Sequence, residues 1–292
     1  MRAVRVKNAW KILFRSFNQF IDLNGLKLSA ALSYYTVFSI APLLIVIIAL
    51  AGFFLGRQAV EGRVYHQISG LVGSEAALQI QAIILHTQDS QHGKLGGIIG
   101  TIILFIGATG VFSEIQSSIN YLWSIPAPTK KAFLIAIFRK LISFSLMIAF
   151  AFLLLVSLTF NALLDILSDR LKDLFSDSLL NLFYFVNLGV ILLVISSMFM
   201  LIFKILPNST ISWKNAFVGA IVTSILFLIG KFIIGFYLGH SKIGATFGTT
   251  ASIVILMLWI YYSSIILYFG ACYTSVYAEF RGEKIRGRQK EN

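Results

Sequence analysis

A chain of 292 residues that is 58% hydrophobic and 12% charged, with a mean hydropathy of +0.85, is too apolar for an ordinary soluble domain. Intrinsic disorder is excluded by the same composition. A formal charge of +12 would suggest nucleic acid in a soluble protein, but in a membrane protein the placement of Lys and Arg decides its meaning.

Residues 4–24 place Trp10, Leu13, Phe14, Phe17, Phe20 and Ile21 at helical spacing, with Lys7, Lys11, Arg15, Gln19 and Asp22 on the other side. The pattern predicts an interfacial amphipathic helix held by aromatic rings at headgroup depth and by cations. Packing of the same stripe against the protein is the alternative. Asn24-Gly25 then turns the chain into the first long apolar run.

A bilayer core about 30 Å thick needs roughly 20 apolar residues in a helix. Six stretches meet that length: 29–55, 95–123, 141–163, 181–206, 217–238 and 252–277. The runs are continuous, whereas barrel strands would show short alternating segments. The expected fold class is therefore all-α, a polytopic membrane helical bundle of six transmembrane helices. Residues 1–28 form the amphipathic element, 29–277 the membrane domain and 278–292 a basic tail. The first span serves as an uncleaved insertion signal, since its apolar run begins late and continues beyond the length of a signal peptide.

The cations divide unequally between the two sides. One side holds seventeen: Arg2, Arg5, Lys7, Lys11, Arg15 and Lys27 at the N-terminus, Lys130, Lys131, Arg139, Lys140, Lys204 and Lys214 in loops, and Arg281, Lys284, Arg286, Arg288 and Lys290 in the tail. The other side holds six, namely Arg57, Arg63, Lys94, Arg170, Lys172 and Lys242. This bias predicts that both termini are cytoplasmic. The single cysteine, Cys272, rules out an intrachain disulfide and reads as a small packing residue.

The first outer loop, residues 56–94, carries an apolar stripe at Val60, Val64, Ile68 and Leu71, then Ser74 as an N-cap before Glu75. Two short surface helices are expected there. In the second outer loop Asp165, Asp169, Asp173 and Asp177 recur every four residues. Like charges at that spacing oppose a helix by roughly 0.2–0.5 kcal/mol each. A solvated face explains the stripe best, with Asp165, Asp169 and Asp173 as weak candidates for a divalent cation, which prefers irregular loops. No internal repeat is evident in the residues.

Ionisable residues inside spans are the first candidates for function, because lipid makes them costly. Two qualify, Glu114 and Lys231. Glu114 lies roughly 28 Å along its span from Leu95, whereas Lys231 lies roughly 21 Å along an oppositely directed span from Phe217, so the two are expected at different depths. Lys231 can reach the outer headgroups through its alkyl stem. Glu114 shares a face with Ser118 and Tyr121, with Asn120 one step aside, and this cluster is the leading site candidate. Interhelical hydrogen bonding is the competing explanation.

Pro42 lies within span one, where it frees the carbonyl of Phe38; Ser33, Tyr34, Tyr35, Thr36 and Ser39 precede it. Gly96 with Gly100, Gly219 with Ala220, and Gly235 with Gly239 allow helices to approach closely. Residues 239–250 mix glycine with hydrogen-bond donors, either as an anion contact or as a flexible turn.

Groups for catalysis do not converge. His66, His86, His92 and His240 are scattered, and no metal-hydrolase motif, phosphate loop or nucleophile elbow occurs. The expectation is a protein that is not an enzyme and needs no cofactor.

The chain resembles the YihY/BrkB family of bacterial inner-membrane proteins. The likeness rests on residues 30–36 (Ala-Ala-Leu-Ser-Tyr-Tyr-Thr) with Ser39 to Leu44, on Asn120-Tyr121-Leu122-Trp123 and Leu206-Pro207-Asn208, and on Leu258-Trp259-Ile260-Tyr261 with Gly270-Ala271. Phe247 precedes Gly248 where the family pattern has tyrosine. The resemblance implies a six-span envelope protein of poorly defined activity, linked to serum resistance and once labelled a ribonuclease. The nuclease label fits badly, because topology explains the cations and metal ligands are missing. Transport or handling of a lipid or small envelope solute is the leading expectation, with Tyr34, Tyr35, Pro42, Glu114, Ser118, Asn120, Lys231, Gly248, Trp259 and Tyr261 as candidate contacts. A non-transporting scaffold for envelope biogenesis is the alternative. Membrane lipids and envelope proteins are the expected partners, and nucleic acid is not.

Overall fold

The computed structural model describes residues 6–38, 78, 110–126, 145, 149, 152–153, 177–240, 251–283 and 285–287. Within them the chain is helical: α1 (Val6–Asp22), α2 (25–38), α3 (110–122), α4 (Asp177–Ile205), α5 (Trp213–His240) and α6 (Ala251–Phe280). The only extended pairing among the described residues is an isolated antiparallel bridge between Ser209 and Gly287. Leu188–Ile205, Trp213–Tyr237 and Val254–Phe280 are long and apolar enough to cross a membrane. They correspond to the expected spans four, five and six. Of the expected span three only residues 145, 149, 152 and 153 are described, all helical. The two outer-loop expectations lie almost wholly outside the described residues.

Helix ends follow local chemistry. Asn24 takes the left-handed conformation (φ 55°) that ends α1, and Gly25 opens α2. A side chain at Gly25 would run into the Phe20 ring, so glycine lets the helices fold back closely. At the end of α3, Ser124 (φ 53°) donates its amide to the Tyr121 carbonyl at 3.0 Å, and Ile125 donates to that of Asn120 at 2.8 Å. The end of α6 repeats this double closure, with Gly282 (φ 79°) donating to Glu279 and Glu283 to Ala278, both at 2.9 Å. Both are Schellman closures, which satisfy carbonyls that a helix end leaves open. The Ser212 hydroxyl caps the start of α5 by accepting from the Asn215 amide at 3.4 Å.

α4 packs on α5, α5 on α6, and α1 on α6. The α5–α6 seam is antiparallel and built on reciprocal glycine and threonine. Gly219 faces Thr274, Gly270 faces Thr223, and one face further along has Gly230 against the Tyr262 ring. Each threonine turns its hydroxyl to its own helix, Thr223 to the Gly219 carbonyl and Thr274 to that of Gly270, both at 2.7 Å. Thus Gly-x-x-x-Thr on each helix supplies the hollow, the filler and an internally satisfied hydroxyl. Between helices in lipid there is little hydrophobic drive, so this close contact is what holds them.

α1 is not a two-faced helix. Ile12, Ser16 and Phe20 are buried, with Ile12 near Tyr273 and Val276 and the Phe20 ring edge-on to Phe269 at 6.3 Å. Trp10, Phe14, Phe17 and Ile21 form a separate, exposed apolar stripe. The expected single stripe therefore splits, with Phe20 facing the protein rather than lipid. Arg15 pairs with Glu279 at 2.6 Å and lies 5.9 Å from the Phe280 ring centre. Both charged groups are about half exposed, so the pair contributes at most about 1 kcal/mol.

At the loop end the ties are polar. Gln116 donates to the Leu206 carbonyl, Lys204 donates to the Ile211 carbonyl, and the Asn120 side-chain oxygen accepts from the Asn208 amide at 2.9 Å. The Trp123 indole donates to the Ala271 carbonyl at 2.9 Å, and Asn215 donates to Glu283 at 2.7 Å. Thr210 donates its amide to the Arg286 carbonyl at 3.0 Å beside the Ser209–Gly287 bridge.

Gly219→Ala and Gly270→Ala are expected to destabilise the protein by about 1–3 kcal/mol each through overpacking. No described residue approaches the corresponding point at Gly235, so Gly235→Ala is expected to be neutral or stabilising by up to about 1 kcal/mol. Thermal unfolding of the three detergent-solubilised variants checks this contrast.

Candidate functional site

Glu114 and Ser118 stand one helical turn apart on α3, and the Ser118 hydroxyl donates to the Glu114 carboxylate at 3.1 Å. Ser117 adds a bond to the Glu114 carbonyl at 3.1 Å. Across the interface, α6 places Tyr268, fully buried, with its phenol near enough to Ser118 and Glu114 to feel both. That oxygen completes no hydrogen bond among the described residues. Leaving a buried hydroxyl unpaired costs about 1–3 kcal/mol, so its position asks for a reason.

The group lies roughly 12 Å along α3 from Leu122 and roughly 18 Å along α6 from Phe280, at 1.5 Å per residue. Glu114 is half buried there. The cluster offers two carboxylate oxygens, a hydroxyl already donating, and a phenol beside them that can donate or accept. Such a set can hold a proton, or accept hydrogen bonds from an ammonium or hydroxyl group. No group of three or more His, Cys, Asp or Glu residues suited to a metal occurs among the described residues.

The other expected contacts are placed differently. Asn120 is taken up by Asn208, and Tyr121, expected on the Glu114 face, is exposed. Tyr34 and Tyr35 are also exposed, their rings 5.8 Å apart, with Phe38 5.0 Å from Tyr34. Lys231 lies on α5 with its ammonium 5.8 Å from the Phe232 ring centre. Trp259 packs edge-on against Phe227 at 5.8 Å, and its indole nitrogen is buried without a partner among the described residues. Tyr261 is half buried on α6. Pro42, Gly248, Asp165, Asp169 and Asp173 lie outside the described residues.

The structure thus brings Glu114 and Ser118 together and adds Tyr268. No periodicity within one helix could have paired a residue of α6 with α3. Tyr262 was equally hidden, although it donates to the Leu226 carbonyl at 3.2 Å and fills the hollow at Gly230.

A protein-family profile described as Virulence factor BrkB matches residues 16–292. A UPF0761 membrane protein of Stenotrophomonas maltophilia (strain R551-3) is 25% identical over 279 residues, covering 93% of this chain and 62% of that protein. One from Pseudoalteromonas atlantica is 25% identical over 285 residues, covering 96% of this chain and 89% of its own. One from Tolumonas auensis reaches 33% over 92 residues, 31% of this chain and 30% of its own. The chain therefore spans less than two thirds of the length of the Stenotrophomonas relative. No solved structure matches. With the family profile over nearly the whole chain, three membrane-length helices and relatives that are membrane proteins, this multi-pass chain belongs to the BrkB family.

Proposed function

We propose that this BrkB-family protein moves or handles a lipid or a small polar solute in the bacterial inner membrane, with both termini cytoplasmic. The observation that carries the proposal is the contrast between Glu114 and its neighbours. Gln116, Asn120 and Trp123 each spend a polar atom on another segment's backbone. Glu114 is bound by Ser118 of its own helix and faced by the unsatisfied Tyr268 phenol. A purely structural carboxylate in lipid would be expected to have a stronger partner, because its charge costs a few kcal/mol there. A group bonded this loosely is suited to take a ligand and release it.

The scaffold reading draws on the same neighbours. If the polar residues serve only to lock helices, the protein would organise envelope proteins without moving anything. The cation bias supports the assigned orientation.

Reconstituted vesicles distinguish the two. The wild-type protein is expected to raise lipid headgroup exposure or solute movement above that of empty vesicles, and Glu114→Gln to lower it about 10- to 100-fold, the worth of one or two charge-assisted hydrogen bonds. Movement equal to that of empty vesicles would sink the transport reading and favour the scaffold. Tyr268→Phe removes an unpaired buried hydroxyl, so thermal stability should hold or rise by about 1 kcal/mol while activity falls. A loss of stability with unchanged activity would make Tyr268 a packing residue.

A further inference from the structure

We infer that α1 is a docking surface for the phospholipid leaflet, selective for anionic headgroups, and that it is held to the bundle by a face it does not share with lipid. The residues divide the helix into three sectors at 100° per residue. The first carries Ile12, Ser16 and Phe20, all buried against the protein, with Gln19 at its edge donating to the Leu122 carbonyl at 3.0 Å. The second carries Trp10, Phe14, Phe17 and Ile21, which are 72%, 61%, 53% and 44% exposed. The third carries Lys11, Arg15, Asn18 and Asp22, all exposed.

A helix packed on a protein in water needs two sectors, one apolar and one polar. The additional sector here, the second, is an apolar stripe of three aromatic rings and an isoleucine, turned away from the bundle and bordered by the polar sector. That arrangement fits a helix lying along the side of a membrane bundle at headgroup depth, with one sector on protein, one in the acyl boundary and one in water.

Charge selects the headgroup. Lys11 and Arg15 lie in the water sector, Lys27 is exposed just past the turn, and Arg2, Arg5 and Lys7 are at the N-terminus of the sequence. Asp22 and the Glu279 partner of Arg15 offset part of this charge, which remains positive on balance. An anionic phospholipid complements that balance, whereas a zwitterionic one gains little from it. The inference does not depend on what, if anything, the protein moves.

The test uses the full-length chain in nanodiscs, with single cysteines introduced as Lys11→Cys, Phe14→Cys, Phe17→Cys and Asn18→Cys. Cys272 is buried, and the parent chain checks that it stays unlabelled. Nitroxides at 14 and 17 should be accessible to oxygen and shielded from a water-soluble nickel complex, and those at 11 and 18 should show the reverse. A fluorophore at position 17 should be quenched more by brominated phosphatidylglycerol than by brominated phosphatidylcholine. Lys11→Gln should reduce that preference, by up to about fivefold for one charge. Equal nickel access at 14 and 18 would overturn the docking, as would shielding of 14 from both reagents, which would mean that protein covers the stripe. Equal quenching by the two lipids would overturn the anionic selectivity.

Discussion

Hydrocarbon offers no hydrogen-bond partner, so every polar group on a membrane-spanning helix must find its partner within the protein. Although the Ser196 hydroxyl and the Tyr268 phenol complete no hydrogen bond among the described residues, many hydroxyl groups on the described helices meet that constraint in the simplest way, by bonding to the backbone carbonyl one turn back on their own helix. Ser16, Ser29, Thr36, Ser197, Thr223, Ser224, Ser263, Ser264 and Thr274 all do so, at 2.7–2.9 Å. Such bonds spend the polarity locally and leave the side chain free to act as a small filler. Thr223 and Thr274 are used in this way, each filling the hollow over a glycine of the other helix. Helix association in the seam therefore rests on shape at the glycine and threonine contacts, with one interhelical hydrogen bond, from Tyr262 to the Leu226 carbonyl, further along.

Apart from the Tyr262 bond to the Leu226 carbonyl, the side-chain ties that cross between segments gather at one end. Gln116, Asn120, Trp123, Lys204, Asn215 and Gln19 each reach another part of the chain there, most of them to a backbone carbonyl or amide left open by a helix end or loop. This economy follows from helix geometry, since carbonyls become available only where the ladder stops. Inside the helical ladder, the Ser196 hydroxyl on α4 and the Trp259 indole and Tyr268 phenol on α6 complete no hydrogen bond among the described residues, and of these the Tyr268 phenol lies beside the Glu114 carboxylate. Active and binding sites commonly retain polar groups whose partners arrive with the ligand, and the energy left unclaimed in the free protein becomes available on binding.

Much of the architecture was legible because the bilayer imposes a length. Three apolar helices, α4, α5 and α6, fall where the fourth, fifth and sixth apolar runs were read, since such a run ends where charge, proline or capping chemistry begins. The Asn24-Gly25 turn was equally plain, as both residue types favour what the turn requires. The Glu114–Ser118 pair was visible through its spacing of four. What escaped is what depends on a second helix. The Trp10 to Ile21 stripe and the Ile12 to Phe20 stripe merge in sequence, and only the position of α6 separates them. Gly219 and Gly235 look equivalent, yet one meets Thr274 and the other meets nothing among the described residues. Asn120 resembled a ligand contact until the 206–212 loop supplied its partner.

The central claim is that the Glu114, Ser118 and Tyr268 group is kept open for a ligand. The most direct measurement is a high-resolution electron cryomicroscopy map of the full-length protein in native-lipid nanodiscs. The account predicts density for a lipid headgroup or solute between α3 and α6, within hydrogen-bond distance of the Glu114 carboxylate and the Tyr268 phenol. A map with no such density, in which Tyr268 closes a direct hydrogen bond onto Glu114 or Ser118, would contradict it.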